Sequence, residues 1–171
     1  MKIVSNTSPL IFLAKIEKLD LLDKHKIIIP KQVHEEINKG AEIGKEDAQK
    51  INALVEKNII KLEEAEINKE IEKQNLGKGE KAAISLAISR KIDIVLLDER
   101  KARRIAKFYK LKPKGTIGIL IDAYKNNKIT KKELIESIKK LIEEGYRINE
   151  ELIIKLLEKI FNFKKLKIFQ K

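Results

Sequence analysis

Apolar residues in this chain follow two rhythms. Short apolar runs, Ile27-Ile28-Ile29 and Ile92-Asp93-Ile94-Val95-Leu96-Leu97 foremost, alternate with longer stretches whose apolar positions recur every three or four residues. The first rhythm predicts buried strands and the second predicts helices with one buried face. Residues 2–4 predict a first strand, and Asn6-Thr7-Ser8-Pro9 after it supplies cap-forming side chains and a proline suited to a helix's first turn. Pro30 ends the second strand, and Val33 and Ile37 set helical spacing up to Gly40. Residues 45–58 predict a helix, 59–62 a short strand, 64–75 a polar helix and 80–89 a helix rich in alanine and isoleucine. The strand at 92–97 stops at Asp98-Glu99, a basic helix spans 100–109, and Lys114-Gly115-Thr116 forms another strand-to-helix junction before a helix over 117–124. Strands and helices alternating in this order predict an α/β protein with a mainly parallel sheet covered on both faces. The tail differs. Thr130-Lys131-Lys132-Glu133 is a capping-box pattern opening a helix to residue 144, and Asn149-Glu150-Glu151 opens a second to residue 160, which together predict a C-terminal helical hairpin.

Length and composition narrow the chemistry. At 171 residues the chain is read as a single domain, with a core over residues 1–125 and a helical extension over 130–161. It has no cysteine, and its two histidines, His25 and His34, stand apart, so disulfides, thiolate zinc sites and histidine-rich metal sites are excluded. Any metal must be held by oxygen. No apolar stretch is long enough for a membrane span, and the N-terminus lacks the basic leader and cleavage site of an export signal, so the expected location is the cytoplasm.

Thirty-eight lysines and arginines against 26 acidic residues give a net charge of +12, which favours a phosphate-bearing partner. A surface rich in both lysine and glutamate is also a thermophile trait. Distribution separates the two readings. Residues 100–114 hold eight basic side chains and no acidic one, and four of the five arginines lie between residues 90 and 104. That clustering predicts a polyanion-docking surface.

Parallel sheets bind ligands beyond the carboxyl ends of their strands. Asn6 follows the first strand and Asp98 the strongest one. On the helix after the second strand Glu36 lies about 60° from Val33 and Glu35 about 160° away, so Glu36 is the better inward candidate. Glu80 shares a stripe with Ala83, Ile84, Ala87 and Ile88 at the start of its helix. Each has a plainer reading: Glu80 as a charge favoured by the helix dipole, Glu36 as a solvated side chain, Asp98 as a helix cap. Their convergence is what points to chemistry. Grouped carboxylates repel unless a cation neutralises them, and hard oxygen donors select Mg2+ or Mn2+. Beside a basic surface, the expected reaction is phosphodiester hydrolysis.

Five segments in order, Ser5-Asn6-Thr7-Ser8-Pro9-Leu10-Ile11, Val33-His34-Glu35-Glu36-Ile37, Gly79-Glu80-Lys81-Ala82-Ala83-Ile84, Leu97-Asp98-Glu99-Arg100-Lys101-Ala102-Arg103 and Lys114-Gly115-Thr116-Ile117-Gly118, resemble a PIN domain over residues 1–125. The resemblance implies a three-layer α/β/α sandwich and a metal-dependent endoribonuclease, often the toxin of a toxin–antitoxin pair. It further implies an RNA substrate, a homodimer and a small antitoxin partner. By position, Asn6, Glu36, Glu80 and Asp98 match the catalytic, metal-binding quartet, and Ser8 and Thr116 match hydroxyls that bind a metal-bound water or phosphate. Arg100, Lys101, Arg103 and Arg104, beside Asp98, are expected to hold the substrate backbone. Asn6 departs from the pattern, since the family's usual residue there is aspartate and an amide brings oxygen without charge. A nucleic-acid-binding or regulatory protein that has lost catalysis is therefore the alternative. With three tyrosines, five phenylalanines and no tryptophan, the sequence offers no extended platform for stacking bases.

Overall fold

The computed structural model describes residues 1–148 together with Ile154 and Leu156. It divides into two compact units, Met1–Ile119 and Leu120–Lys171.

The first unit is built on five strands, β1 (Lys2–Ser5), β2 (Lys26–Pro30), β3 (Ile60–Glu63), β4 (Ile94–Leu96) and β5 (Lys112–Lys114). They lie in the order β3-β2-β1-β4-β5, and every pairing is parallel, with Val4 opposite Ile28 on one side and Val95 on the other. Ile3, Val4 and Ser5 are buried in succession, as are Ile27 through Pro30. Successive strand residues point to opposite faces, so unbroken burial means that both faces are covered. On one face Val4, Ile28 and Val95 form a cluster with residues of α4 (Lys69–Glu72), α5 (Lys78–Ser89) and α6 (Arg100–Phe108), among them Ile71, Ala83 and Ala102. Alanines at these positions let the helix backbones lie close to the sheet. The remaining helices of this unit are α1 (Thr7–Lys15), α2 (Lys31–Glu42) and α3 (Glu46–Glu56), and α7 (Thr116–Lys125) begins right after β5. The expected α/β fold with a parallel central sheet is therefore present.

One predicted element is corrected. The polar stretch 64–75 forms a helix only over Lys69–Glu72, and residues 64–68 are irregular. Asn68 decides this: its side chain accepts hydrogen bonds from the backbone of Glu70 and Ile71, and its own N–H donates to Ser85 Oγ at 3.0 Å. Those bonds start the helix at Lys69 and tie the preceding chain to α5. A one-turn 3-10 helix at Leu19–Leu22 had no counterpart in the pattern.

In the second unit, α8 (Lys131–Glu143) opens as its capping box predicts, with Thr130 N–H donating to Glu133 Oε2 at 2.7 Å and Glu133 N–H donating to Thr130 Oγ1 at 3.2 Å. The second helix of the predicted hairpin, at 149–160, lies outside the described residues except for Ile154 and Leu156.

Candidate active site

The strand order creates one topological switch. From β1 the chain builds outward through β2 and β3, then returns to the other side of β1 for β4 and β5. Crossovers therefore diverge between β1 and β4, the place where an open parallel sheet leaves a crevice at its carboxyl end. Asn6 emerges there directly from β1, its N–H donating to Leu96 O at 3.0 Å, and Asp98 emerges two residues after β4.

Three consecutive residues at the start of α1 each serve this crevice. Asn6 is the N-cap but makes no side-chain capping bond; it is 7% exposed and its Oδ1 has no hydrogen-bond partner. Thr7 Oγ1 donates to Glu36 Oε2 on α2. Ser8 Oγ donates to Asp98 Oδ2 at 3.3 Å. Glu36 is solvent-exposed, and its Oε1 also accepts the N–H of Gly79 at 3.1 Å. A methyl group added at Gly79 would stand 2.8 Å from Asn6 Oδ1 and 2.8 Å from each Glu36 carboxylate oxygen. The glycine thus clears a small space that the amide oxygen and the carboxylate both face.

Asp98 forms a second group. Thr116, fully buried at the start of α7, donates its N–H to Asp98 Oδ1 at 2.7 Å and its hydroxyl to Oδ2 at 2.8 Å. The cap of α6 is Glu99, so Asp98 is turned toward the crevice and does not serve as the helix cap. A Cβ at Gly115 would lie 2.9 Å from Asp98 Oδ1 and 3.4 Å from Arg103 Nη1, which places the Arg103 guanidinium beside this carboxylate. Arg100, Lys101 and Arg104 are exposed on α6.

Glu80 Oε2 accepts the N–H of Gly77 at 2.9 Å, so the helix-start reading of this residue is realised. Burial pushes its carboxyl above the usual range; the Gly77 N–H opposes that, and the negative charges of Glu99 and Glu36 add to it. Glu80 therefore shares an electrostatic neighbourhood with Glu36. Among the described residues, however, no three acidic or histidine side chains stand together closely enough to hold one ion. Each carboxylate is drawn to its own protein donors, Glu36 to Thr7 and Gly79, Glu80 to Gly77, and Asp98 to Thr116 and Ser8.

The donor set is entirely oxygen, which suits Mg2+ or Mn2+. The fit is supported by the buried, unpartnered Asn6 Oδ1 and by the space at Gly79 that it faces together with Glu36. Thr7, Gly79 and Glu99 had not been singled out from the sequence. Only Gly79 leaves a signal there, as a glycine directly before the helix expected over 80–89. A cavity of about 460 Å³ lined by Leu22, His25, Ile27, Leu54 and Ile59 lies elsewhere, at the amino ends of β2 and β3.

No curated protein and no solved structure matches the chain. A family model described as a PIN domain matches residues 2–161. With a match over that length, and a five-stranded parallel sheet in the order β3-β2-β1-β4-β5, the chain belongs to the PIN domain superfamily.

Proposed function

We propose that this protein is a divalent-metal-dependent endoribonuclease acting at the carboxyl rim of the sheet. PIN domains generally are metal-dependent nucleases. The observation that carries the reading is the buried Asn6 Oδ1, unpartnered and directed with the Glu36 carboxylate at the space Gly79 leaves open. Asn6, Glu36, Glu80 and Asp98 are the residues that would hold Mg2+ or Mn2+, which supplies an activated water and neutralises charge on the phosphoryl oxygens. Ser8 and Thr116 fix the Asp98 carboxylate through their hydroxyls. Thr7 fixes Glu36. Arg103, beside Asp98, offsets the charge of a phosphate brought to the rim, and Arg100, Lys101 and Arg104 hold the neighbouring backbone. The test is cleavage of RNA by the purified full chain with Mg2+ or Mn2+. Cleavage that Asp98→Asn and Glu36→Gln abolish is expected; no cleavage with either metal, or cleavage indifferent to both substitutions, overturns the reading.

Asn6 favours a second reading, an RNA-binding or regulatory protein that keeps the fold without catalysis. It predicts that the parent binds RNA without cutting it and that Asn6→Asp creates metal-dependent cleavage. By resemblance the proposal extends to a homodimer and to the toxin of a toxin–antitoxin pair; co-purification of a small neutralising protein that suppresses cleavage checks the latter.

A further inference from the structure

Helix α6 sorts its side chains by face. Ala102 and Ala106 are buried against the core, while Arg100, Arg104 and Phe108 are exposed at four-residue spacing, which puts them on one stripe. Lys101 and Lys107 flank that stripe and are also exposed. Phe108, at its end, is 81% exposed. A single exposed apolar residue needs no explanation by itself. This ring, however, terminates a row of cations and is braced: it meets Tyr109 edge-on, with centroids 5.4 Å apart and planes at 86°. Tyr109 in turn packs against the hydrophobic cluster beneath α6. The phenylalanine is therefore held in place with most of its surface open to solvent.

The row starts two residues after Asp98 and leads away from it. Four residues of helix advance about 6 Å, a step commensurate with successive phosphates along an extended strand. A duplex conceals its base faces, whereas a single strand can lay one on an aromatic ring whatever its sequence. We propose that α6 is a track for single-stranded RNA: Arg100 and Arg104 take successive backbone phosphates, and Phe108 stacks on a base about two nucleotides from the rim. One braced ring here does the work for which the sequence offers no extended aromatic platform. The inference rests on the ribonuclease reading for its substrate class, but binding tests it separately from cleavage.

The experiment is fluorescence anisotropy of the full chain in EDTA with a short labelled single-stranded RNA and with a duplex of the same sequence. Phe108→Ala is expected to weaken single-strand binding roughly 5- to 100-fold, Phe108→Trp to preserve it, and the duplex to bind with no dependence on Phe108. Unchanged single-strand affinity in Phe108→Ala, or an equal loss for the duplex, overturns the track. So does a shift from dimer to monomer in sedimentation with RNA affinity intact, which would make Phe108 a contact between copies. If the parent cuts no RNA yet Phe108→Ala loses single-strand affinity, the nuclease reading falls and the track stands. If the parent cuts and Phe108→Ala binds and cuts as the parent does, the track falls alone.

Discussion

A methyl group at Gly79 would press on three oxygens at once, one of Asn6 and two of Glu36, all at 2.8 Å. Those atoms are the ends of side chains, which can move, and alanine is the better helix former by about 1 kcal/mol. Gly79→Ala is therefore expected to melt at or above the parent's temperature while losing most of its Mn2+ affinity and cleavage; scanning and titration calorimetry read the first two and an RNA-cleavage assay the third. Asn6→Asp works in the opposite sense. A charge 7% exposed beside Glu36 is expected to lower stability by about 1–3 kcal/mol in divalent-free buffer, with Mn2+ restoring it and cleavage rising. Glu80 supplies a pH signature. Its carboxyl is raised above 4.5 in the folded chain, so between that value and its folded pKa the native state binds more protons than the unfolded one. Its contribution to stability accordingly falls as pH rises through that window. In EDTA, Glu80→Gln should remove that fall and leave the chain more stable than the parent at neutral pH, as denaturation at a series of pH values would show. Asn6 and Asp98 were legible because strand ends alone place them. Thr7 was not, because its bond to Glu36 depends on how α1 and α2 lie against each other, which spacing within either helix does not encode. Glu99 bears on Glu80 across two elements far apart in sequence, and the sequence gives no sign of that.

Local bonds decide the elements where periodicity misleads. Residues 64–75, rich in glutamate and lysine, carry a helical composition over their whole length, yet Asn68 captures the N–H groups of Glu70 and Ile71 and starts the helix only at Lys69. Asn68→Ala is expected to cost about 1 kcal/mol, measurable by urea denaturation, with the rim residues untouched. The strand at Ile27-Ile28-Ile29 and the capping box at Thr130 were legible because burial and reciprocal capping act within a few residues. Helix α6 was legible as a basic segment, but the sorting of its charges and Phe108 onto the exposed stripe follows from the docking of Ala102 and Ala106 on the core. Arg104→Ala should flatten the salt dependence of single-stranded RNA binding by roughly 0.7 in the log–log slope, the mark of one lost phosphate contact.

For the molecule as a whole, a net charge of +12 supplies long-range attraction to nucleic acid, and in the function proposed here the carboxyl rim of the PIN fold is where that attraction would act. Among the described residues no helix is long and apolar enough to cross a membrane. The five-segment resemblance made the parallel sheet readable. How closely the carboxylates approach one another was not readable, because it depends on hydrogen bonds from Thr7, Ser8, Gly77, Gly79 and Thr116 that arise only on folding. The most direct measurement is an anomalous diffraction map from crystals of the full chain grown with Mn2+. A peak bonded to Asn6 Oδ1 and Glu36, with Glu80 or Asp98 completing the oxygen set, is predicted. Manganese bound nowhere at this rim, with the four side chains placed as they are here, would contradict the account.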